Sequence, residues 1–273
     1  MEDNIIVIEN VSKNFGGVKA LSGVSTEIRK GTIHAIIGPN GSGKTTLINV
    51  VTGFYKPETG RILFKGSDIG GQKPHLIARQ GIGRTFQNLR LFGSMTAEEN
   101  IVAAMSSEMK ESVFGAIVNS PNTRRVEKEA KNKAREILRK LEIEEYADRP
   151  VAMLPYGTRR LIEIGRALGL NPEVLILDEP VAGMNPSESE NLMRIIRKLV
   201  VEDRLTIILI EHDMRVVMNY SDEITVINNG KLIARGVPAE IQKNPIVIEA
   251  YLGTGKAGNV GEKEAEDGTA LNQ

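Results

Sequence analysis

Residues 38–46 read Gly-Pro-Asn-Gly-Ser-Gly-Lys-Thr-Thr. Gly38, four spacers, Gly43, Lys44 and Thr45 fit the pattern of a phosphate-binding loop. The run before it, Thr32-Ile33-His34-Ala35-Ile36-Ile37, is short, mostly apolar and suited to a buried parallel strand. After it, Thr46-Leu47-Ile48-Asn49-Val50-Val51 predicts the opening of a helix. Glycines in such a loop permit positive φ and let backbone N–H groups approach phosphate oxygens. The helix N-terminus adds partial positive charge, Lys44 is placed to reach the β- and γ-phosphates, and the Thr45 hydroxyl is placed to ligate Mg²⁺. A glycine-rich turn beside a surface lysine would match the loop but not its flanks. The stretch is read as a nucleotide site with contacts from Gly38, Pro39, Asn40, Gly41, Ser42, Gly43, Lys44, Thr45 and Thr46.

The 273 residues can bury a full core as one large or two small domains. Formal net charge is zero, with 35 basic and 35 acidic residues, so no global field recruits nucleic acid. Cysteine is absent, which excludes disulfides and thiolate metal sites and fits a reducing cytosol. No apolar run approaches the ~20 residues of a spanning helix, and the polar start Met1-Glu2-Asp3-Asn4 does not read as a signal peptide. The expectation is a soluble, cytoplasmic chain whose membrane role, if it has one, is peripheral.

Along the chain, residues 5–30 read as antiparallel strands, Val24, Thr26 and Ile28 alternating with Ser25, Glu27 and Arg29. Residues 60–64 add a short strand. Residues 96–170 turn helical, and Val126, Ala130, Ala134, Ile137, Leu138 and Leu141 form one apolar stripe at three- and four-residue steps, read as core. Buried-strand runs return at Val174–Leu177 and Thr206–Ile210, separated by a helix over about 187–202. Asn229-Gly230 marks a hairpin between Ile224–Ile227 and Leu232–Ala234. Residues 254–273 are Gly-, Glu- and Lys-rich without periodicity and read as a disordered tail.

The apolar run at 174–177 ends in Asp178-Glu179. In open α/β sheets ligands gather at the carboxyl ends of the strands, so these acids point to the same end as the phosphate loop. Asp178 suits the holding of Mg²⁺, directly or through water, and Glu179 the polarising of an attacking water.

With the phosphate loop, a lone Gln87, a Leu-x-x-Gly-x element at Leu154, Asp178-Glu179-Pro180 and His212 in that order, residues 4–253 resemble the ATP-binding-cassette ATPases. The finer resemblance is to the ATPase subunit of branched-chain amino acid importers. It rests on Phe15-Gly16-Gly17, Arg84-Thr85-Phe86-Gln87-Asn88, Leu154-Pro155-Tyr156-Gly157, Ala182-Gly183-Met184-Asn185-Pro186, Glu211-His212-Asp213-Met214 and the run from Val247 to Gly253. The resemblance implies an α/β fold: a P-loop NTPase core with a parallel sheet, an N-terminal antiparallel β subdomain and an inserted α-helical signature subdomain over about 89–165. It implies ATP and Mg²⁺ as cofactors. Phe15 would stack on adenine, with a core aromatic as the alternative. Gln87 would contact Mg²⁺ and the attacking water, and His212 would hydrogen-bond the γ-phosphate. His34, within the strand, and His75, in a polar loop, are read as structural or solvated, and Asp68 and the Glu-rich run 142–145 as surface charge.

By the same resemblance, Leu154, Tyr156 and Gly157 introduce a helix over about 158–169 that packs against the γ-phosphate held by a second subunit, sandwiching ATP between two chains. The common cassette form Leu-Ser-Gly-Gly-Gln is altered here: Pro155, Tyr156 and Thr158 replace serine, glycine and glutamine. Asn185 stands where most cassettes carry aspartate. These departures lead to the expectation of an asymmetric heterodimer, a homodimer being the alternative. The segment Ser112–Val118 reads first as local helical core and alternatively as part of a groove for a permease's cytoplasmic helix.

The implied partners are a second cassette, transmembrane permease subunits and, indirectly, an extracytoplasmic solute-binding protein, with the ATPase peripheral on the inner face of the membrane. Branched-chain amino acids lead as solute, with urea- or amide-type solutes as the alternative. Translation- and chromosome-type cassettes fit less well: there is one copy, a helical insertion of ordinary size and no basic stripe. A P-loop GTPase lacks support because Asn132-Lys133-Ala134-Arg135 breaks the guanine-reading pattern. A nucleotide-binding protein without turnover is disfavoured by Glu179 and His212.

Overall fold

The computed structural model describes residues 3–85, 89–105 and 121–252. Two sheets organise them. The first has the order β2-β1-β4-β5, built from β1 (Asn4–Phe15), β2 (Val18–Arg29), β4 (Thr59–Phe64) and β5 (Ser67–Asp68), all antiparallel. The alternation read from the sequence is the pleat itself: Val24, Thr26 and Ile28 are buried while Ser25, Glu27 and Arg29 are exposed.

The second sheet has the order β10-β9-β3-β8-β7-β6. Its parallel strands are β3 (Ile33–Ile37), β6 (Ile82–Arg84), β7 (Val174–Asp178), β8 (Thr206–Ile210) and β9 (Glu223–Asn228); β10 (Lys231–Gly236) returns antiparallel. Every residue of β3, β7 and β8 is buried, which is why these strands read as continuous apolar runs rather than alternating ones. Asn229 and Gly230 both hold positive φ, 47° and 72°, as a two-residue hairpin turn requires.

The helices are α1 (Lys44–Val51), α2 (Pro74–Gln80), α3 (Ala97–Met105), α4 (Pro121–Lys140), α5 (Tyr156–Leu168), α6 (Pro186–Asp203), α7 (Met214–Tyr220), α8 (Pro238–Ile241) and α9 (Pro245–Leu252). Because side chains alternate across a strand, the central strands feed two cores. Ala35, Ile37, Leu175, Leu177 and Leu209 pack with α3, α4, α5 and α6, whereas Ile36, Ile176, Ile208 and Ile210 pack with α1 and the first sheet. The stripe on α4 is core: Ala130, Ala134, Ile137 and Leu138, with Leu141 just beyond the helix, are buried, and Val126 is half-buried.

Two boundaries and one placement differ from the sequence reading. Helix α1 starts at Lys44, two residues before Thr46, because Gly43 at φ 108° is itself the left-handed residue that turns the chain into the helix. Helix α5 starts at Tyr156 rather than 158: Pro155, with φ −56° and ψ 155°, already supplies the extended residue at the helix entrance. His75 lies on α2, not in a loop, Pro74 having opened that helix. Gln87, the segment 112–118 and the tail 254–273 lie outside the described residues.

Candidate nucleotide site

The loop 38–43 leaves the end of β3 and is held from behind by the β9–β10 turn and by β2. Gly230 N–H donates to the Ser42 carbonyl at 2.8 Å, and Ser22 N–H donates to the Gly230 carbonyl at 2.8 Å. The close fit explains two glycines. A Cβ on Gly38 would stand 1.9 Å from the Ile227 carbonyl oxygen, and one on Gly43 would stand 2.6 Å from that of Ala20. Lys44 Nζ arches back over the loop and donates to the carbonyls of Gly38 at 2.7 Å and Pro39 at 3.0 Å. Burial lowers its pKa, while Glu179 and Asp178 pull it the other way. A cleft of about 320 Å³ opens there, lined by Lys19, Gly41, Lys44, Thr45 and Asn229 among others.

Phe15, at the end of β1, is 41% exposed and therefore not a core aromatic. It stands edge-on to Tyr55, centroids 5.0 Å apart at 72°, with Lys13 Nζ 5.4 Å from its ring.

The parallel order β3-β8-β7 carries Asp178 and His212 to the same edge as the loop. Asp178 Oδ2 accepts from Arg84 Nη2 at 3.0 Å, and Arg84 Nη1 donates to Asn49 Oδ1 on α1 at 2.7 Å. Glu179 follows with φ 49°, a left-handed conformation uncommon for a side-chain-bearing residue, and donates its N–H to the Ile210 carbonyl at 2.9 Å. His212 Nδ1 lies 3.7 Å from Glu179 Oε1 and 4.0 Å from Glu211 Oε2. The imidazole itself is largely exposed. Glu211 is buried and accepts from the N–H groups of Val181 and His212, both at 3.2 Å. Burial pushes its carboxyl above the ordinary range, and these N–H donors act against that shift.

Leu154, Tyr156 and Gly157 stand at the entrance of α5. Among the described residues no hydrogen bond or ion pair joins them to the chain's own loop at 38–46. Tyr156 instead donates its hydroxyl to the Ala182 carbonyl at 3.1 Å. Asn185 caps α6: its side chain accepts from Glu188 N–H, and Glu188 accepts from Asn185 N–H, both at 3.0 Å.

Four residues take part to which the sequence alone assigns no role: Arg84, Arg160, Glu211 and Tyr251. Tyr251, on α9, has a buried hydroxyl without a regular hydrogen bond among the described residues. Burial pushes its pKa up to about 12, the nearby Gly38 N–H pulling it back.

The site fits a nucleoside triphosphate. Ser42 Oγ is buried with no hydrogen-bond partner among the described residues, beside glycines whose Cβ atoms would fill the cradle. Among the described residues no three His, Cys, Asp or Glu side chains cluster to hold a metal alone. Thr45 and Asp178 could each give one oxygen, the arrangement Mg²⁺ accepts when phosphates and water complete its shell.

Comparison with known proteins agrees with this geometry. The family model described as "ABC transporter" matches residues 21–182, and one described as "Branched-chain amino acid ATP-binding cassette transporter" matches 231–257. The chain is 43% identical over 253 residues to the high-affinity branched-chain amino acid transport ATP-binding protein BraF of Pseudomonas aeruginosa, covering 93% of this chain and 99% of that one. It resembles the crystal structure of the ADP conformation of an ATP-binding cassette of an ABC transporter, with TM-score 0.79, 36% identity and coverage of 92% and 99%. It also resembles a dimeric post-hydrolysis cassette bound to ADP and Pi, with TM-score 0.70, 25% identity and coverage of 85% and 98%.

Proposed function

The chain belongs to the ATP-binding cassette ATPases of ABC transporters, ATP hydrolases coupled to transport, and from that premise we propose that it powers import of branched-chain amino acids. One observation carries the enzymatic part: Glu179 Oε1 and His212 Nδ1 lie 3.7 Å apart at the ends of neighbouring parallel strands, on the sheet edge that bears the phosphate loop. The solute rests on the relatives' activity and on the second family match at the C-terminal end.

In this reading the loop N–H groups and Lys44 hold the β- and γ-phosphates, and Phe15 takes the adenine. Thr45 and Asp178 would hold Mg²⁺, together with Gln87 by family role, and the ion would supply positive charge to offset that of the phosphates. Glu179 accepts the proton of the attacking water, and His212 donates a hydrogen bond to the γ-phosphate. Leu154, Tyr156 and Gly157 present the N-terminus of α5 to the γ-phosphate held by a second cassette. Loss of the γ-phosphate removes contacts made only in the closed pair, which gives the differential binding that a mechanical switch needs.

Among the described residues no helix is long and apolar enough to cross a membrane, so the path for the solute is assigned to permease subunits. The cassette sits on the inner face of the membrane, a solute-binding protein delivers the amino acid outside, and a second, different cassette completes the ATP sandwich. The test is reconstitution with a permease pair and binding protein in vesicles. Leucine-loaded binding protein should raise ATP turnover. Turnover that ignores leucine, isoleucine and valine but rises with another loaded solute would overturn the choice of solute while leaving the ATPase in place.

A further inference from the structure

Arg160 lies one turn into α5 and is 1% exposed. Burying a guanidinium is costly unless its charge and its donors are matched, and arginine cannot escape by losing its proton. Here the charge is met by Glu163 one turn on, Nη1 to Oε2 2.7 Å. The remaining donors reach three consecutive carbonyls of another segment: Pro180 from Nε at 3.1 Å, Glu179 from Nη2 at 2.7 Å, and Asp178 from Nη2 at 3.4 Å. A buried ion pair adds little stability over well-packed apolar side chains, so its presence here is better explained by what it fixes.

What it fixes is a strained turn. Glu179 holds φ 49°, a conformation unfavourable for a residue with a side chain that persists only where the surroundings over-determine it. They do so here. Glu179 N–H is tied to Ile210 at 2.9 Å, and its carbonyl accepts both Arg160 and the Ala182 N–H, the latter at 3.2 Å. With both backbone groups held, the direction of the Glu179 side chain toward His212 is set. The helix that supplies the clamp also carries Tyr156 at its first turn, and the Tyr156 hydroxyl reaches Ala182 of the same turn.

We propose that Arg160 is a positioning residue for hydrolysis: it locks the backbone of Glu179 to α5, so that the base of one nucleotide site and the helix entrance offered to the other move as one body. The proposal rests on the roles assigned above to Glu179 and to the start of α5.

The test uses the full chain, alone for hydrogen exchange and reconstituted with a second cassette and a permease pair for turnover, carrying Arg160→Lys, which keeps the charge but cannot span three carbonyls, or the pair Arg160→Met with Glu163→Leu, which leaves no buried charge behind. Two readouts are taken. Amide hydrogen exchange without nucleotide should speed up about tenfold or more across 175–184, the clamp's own segment, and stay unchanged across 38–46. ATP turnover should fall about tenfold to a hundredfold in kcat with KM within about twofold, the cost expected for a misplaced catalytic group. In a Glu179→Gln background the Arg160 changes should lower the residual rate no further, because both act through the same group. Unchanged exchange at 175–184, unchanged kcat, or a further loss in the Glu179→Gln background would each overturn the proposal. A wild-type reconstituted complex without turnover would count against the enzymatic roles, and the exchange readout would still decide the clamp.

Discussion

Arg84 and Asp178 form an ion pair, Nη2 to Oδ2 3.0 Å, whose side chains are only 9% and 11% exposed. Arg84 also donates to Asn49 of α1, so the carboxylate at the end of β7 is tied to the helix that follows the phosphate loop. The acid assigned to Mg²⁺ therefore already carries a compensating charge. Arg84→Met would leave that carboxylate largely buried and uncompensated, a change that typically costs about 3 kcal/mol. Mg²⁺ beside Asp178 would replace the missing positive charge. Urea unfolding should thus show the loss without nucleotide, and ATP–Mg²⁺ should restore more stability to the variant than to the wild type. An equal response of both proteins to ATP–Mg²⁺ would refute the shared-charge account.

Glu179→Gln removes the assigned base and leaves the loop, Lys44 and Thr45 untouched. Turnover should fall by about 10²–10⁴-fold while ATP affinity holds. An ATP-closed sandwich, once formed, then persists and can be weighed by light scattering. Under the heterodimer proposal the variant alone stays monomeric with ATP–Mg²⁺, and a complex of two cassettes appears only when a different cassette is supplied. Doubling of its own mass would show self-pairing and reject the heterodimer.

Much of this site is legible in the sequence because its parts are local. The apolar run 33–37 with its glycine-rich sequel, and the run 174–177 with its two acids, each state strand, edge and chemistry within a short stretch. The Asn229-Gly230 turn is equally plain, since positive φ at both positions selects those residues. Arg160 is opaque for the opposite reason. It follows Arg159 in sequence, a dibasic pair that reads as solvated surface, and only the packing of α5 against 178–180 makes it buried. Glu211 is visible as part of a family motif, but its bond to Val181 joins distant segments and leaves no periodic trace. The starts of α1 and α5 differ from the sequence reading by two residues each, because Gly43 and Pro155 act as helix entrances, not as part of the preceding loop.

Glu211 joins two segments that must both be in place for His212 to act. Its two oxygens accept separately, one from Val181 N–H and one from His212 N–H. Glu211→Ala strands the buried Val181 donor, at about 1–3 kcal/mol, and frees the part-buried His212 N–H, and with it the His212 backbone, from the turn after Glu179. Glu211→Gln keeps one acceptor. The expected order of kcat is wild type, then Gln, then Ala, with the Ala variant down about tenfold or more and KM little changed. Steady-state kinetics in which Gln and Ala behave alike, or in which only KM moves, would contradict this bridging role.

His34 gives the fold a pH dependence that is separate from the catalytic groups. The imidazole is fully buried in β3, with Nε2 2.8 Å from Thr225 Oγ1 and Nδ1 3.7 Å from Glu223 Oε2, a separation too long for a hydrogen bond. Burial lowers its pKa to about 4 from an ordinary 6.5; Glu223 pulls upward, Arg235 and Arg29 push further down, and burial dominates. Between those two values the unfolded chain binds the proton and the folded one does not, so stability rises with pH. The contribution is complete above 6.5 and is lost as pH falls toward 4, amounting to about 3 kcal/mol. His34→Gln keeps a polar group near Thr225 but cannot titrate. Urea unfolding of both proteins across this window should therefore show the wild type losing about 3 kcal/mol more than the variant as the solution is acidified. Parallel curves would mean that His34 is protonated in the fold as easily as in the unfolded chain, and the burial argument for it would fail.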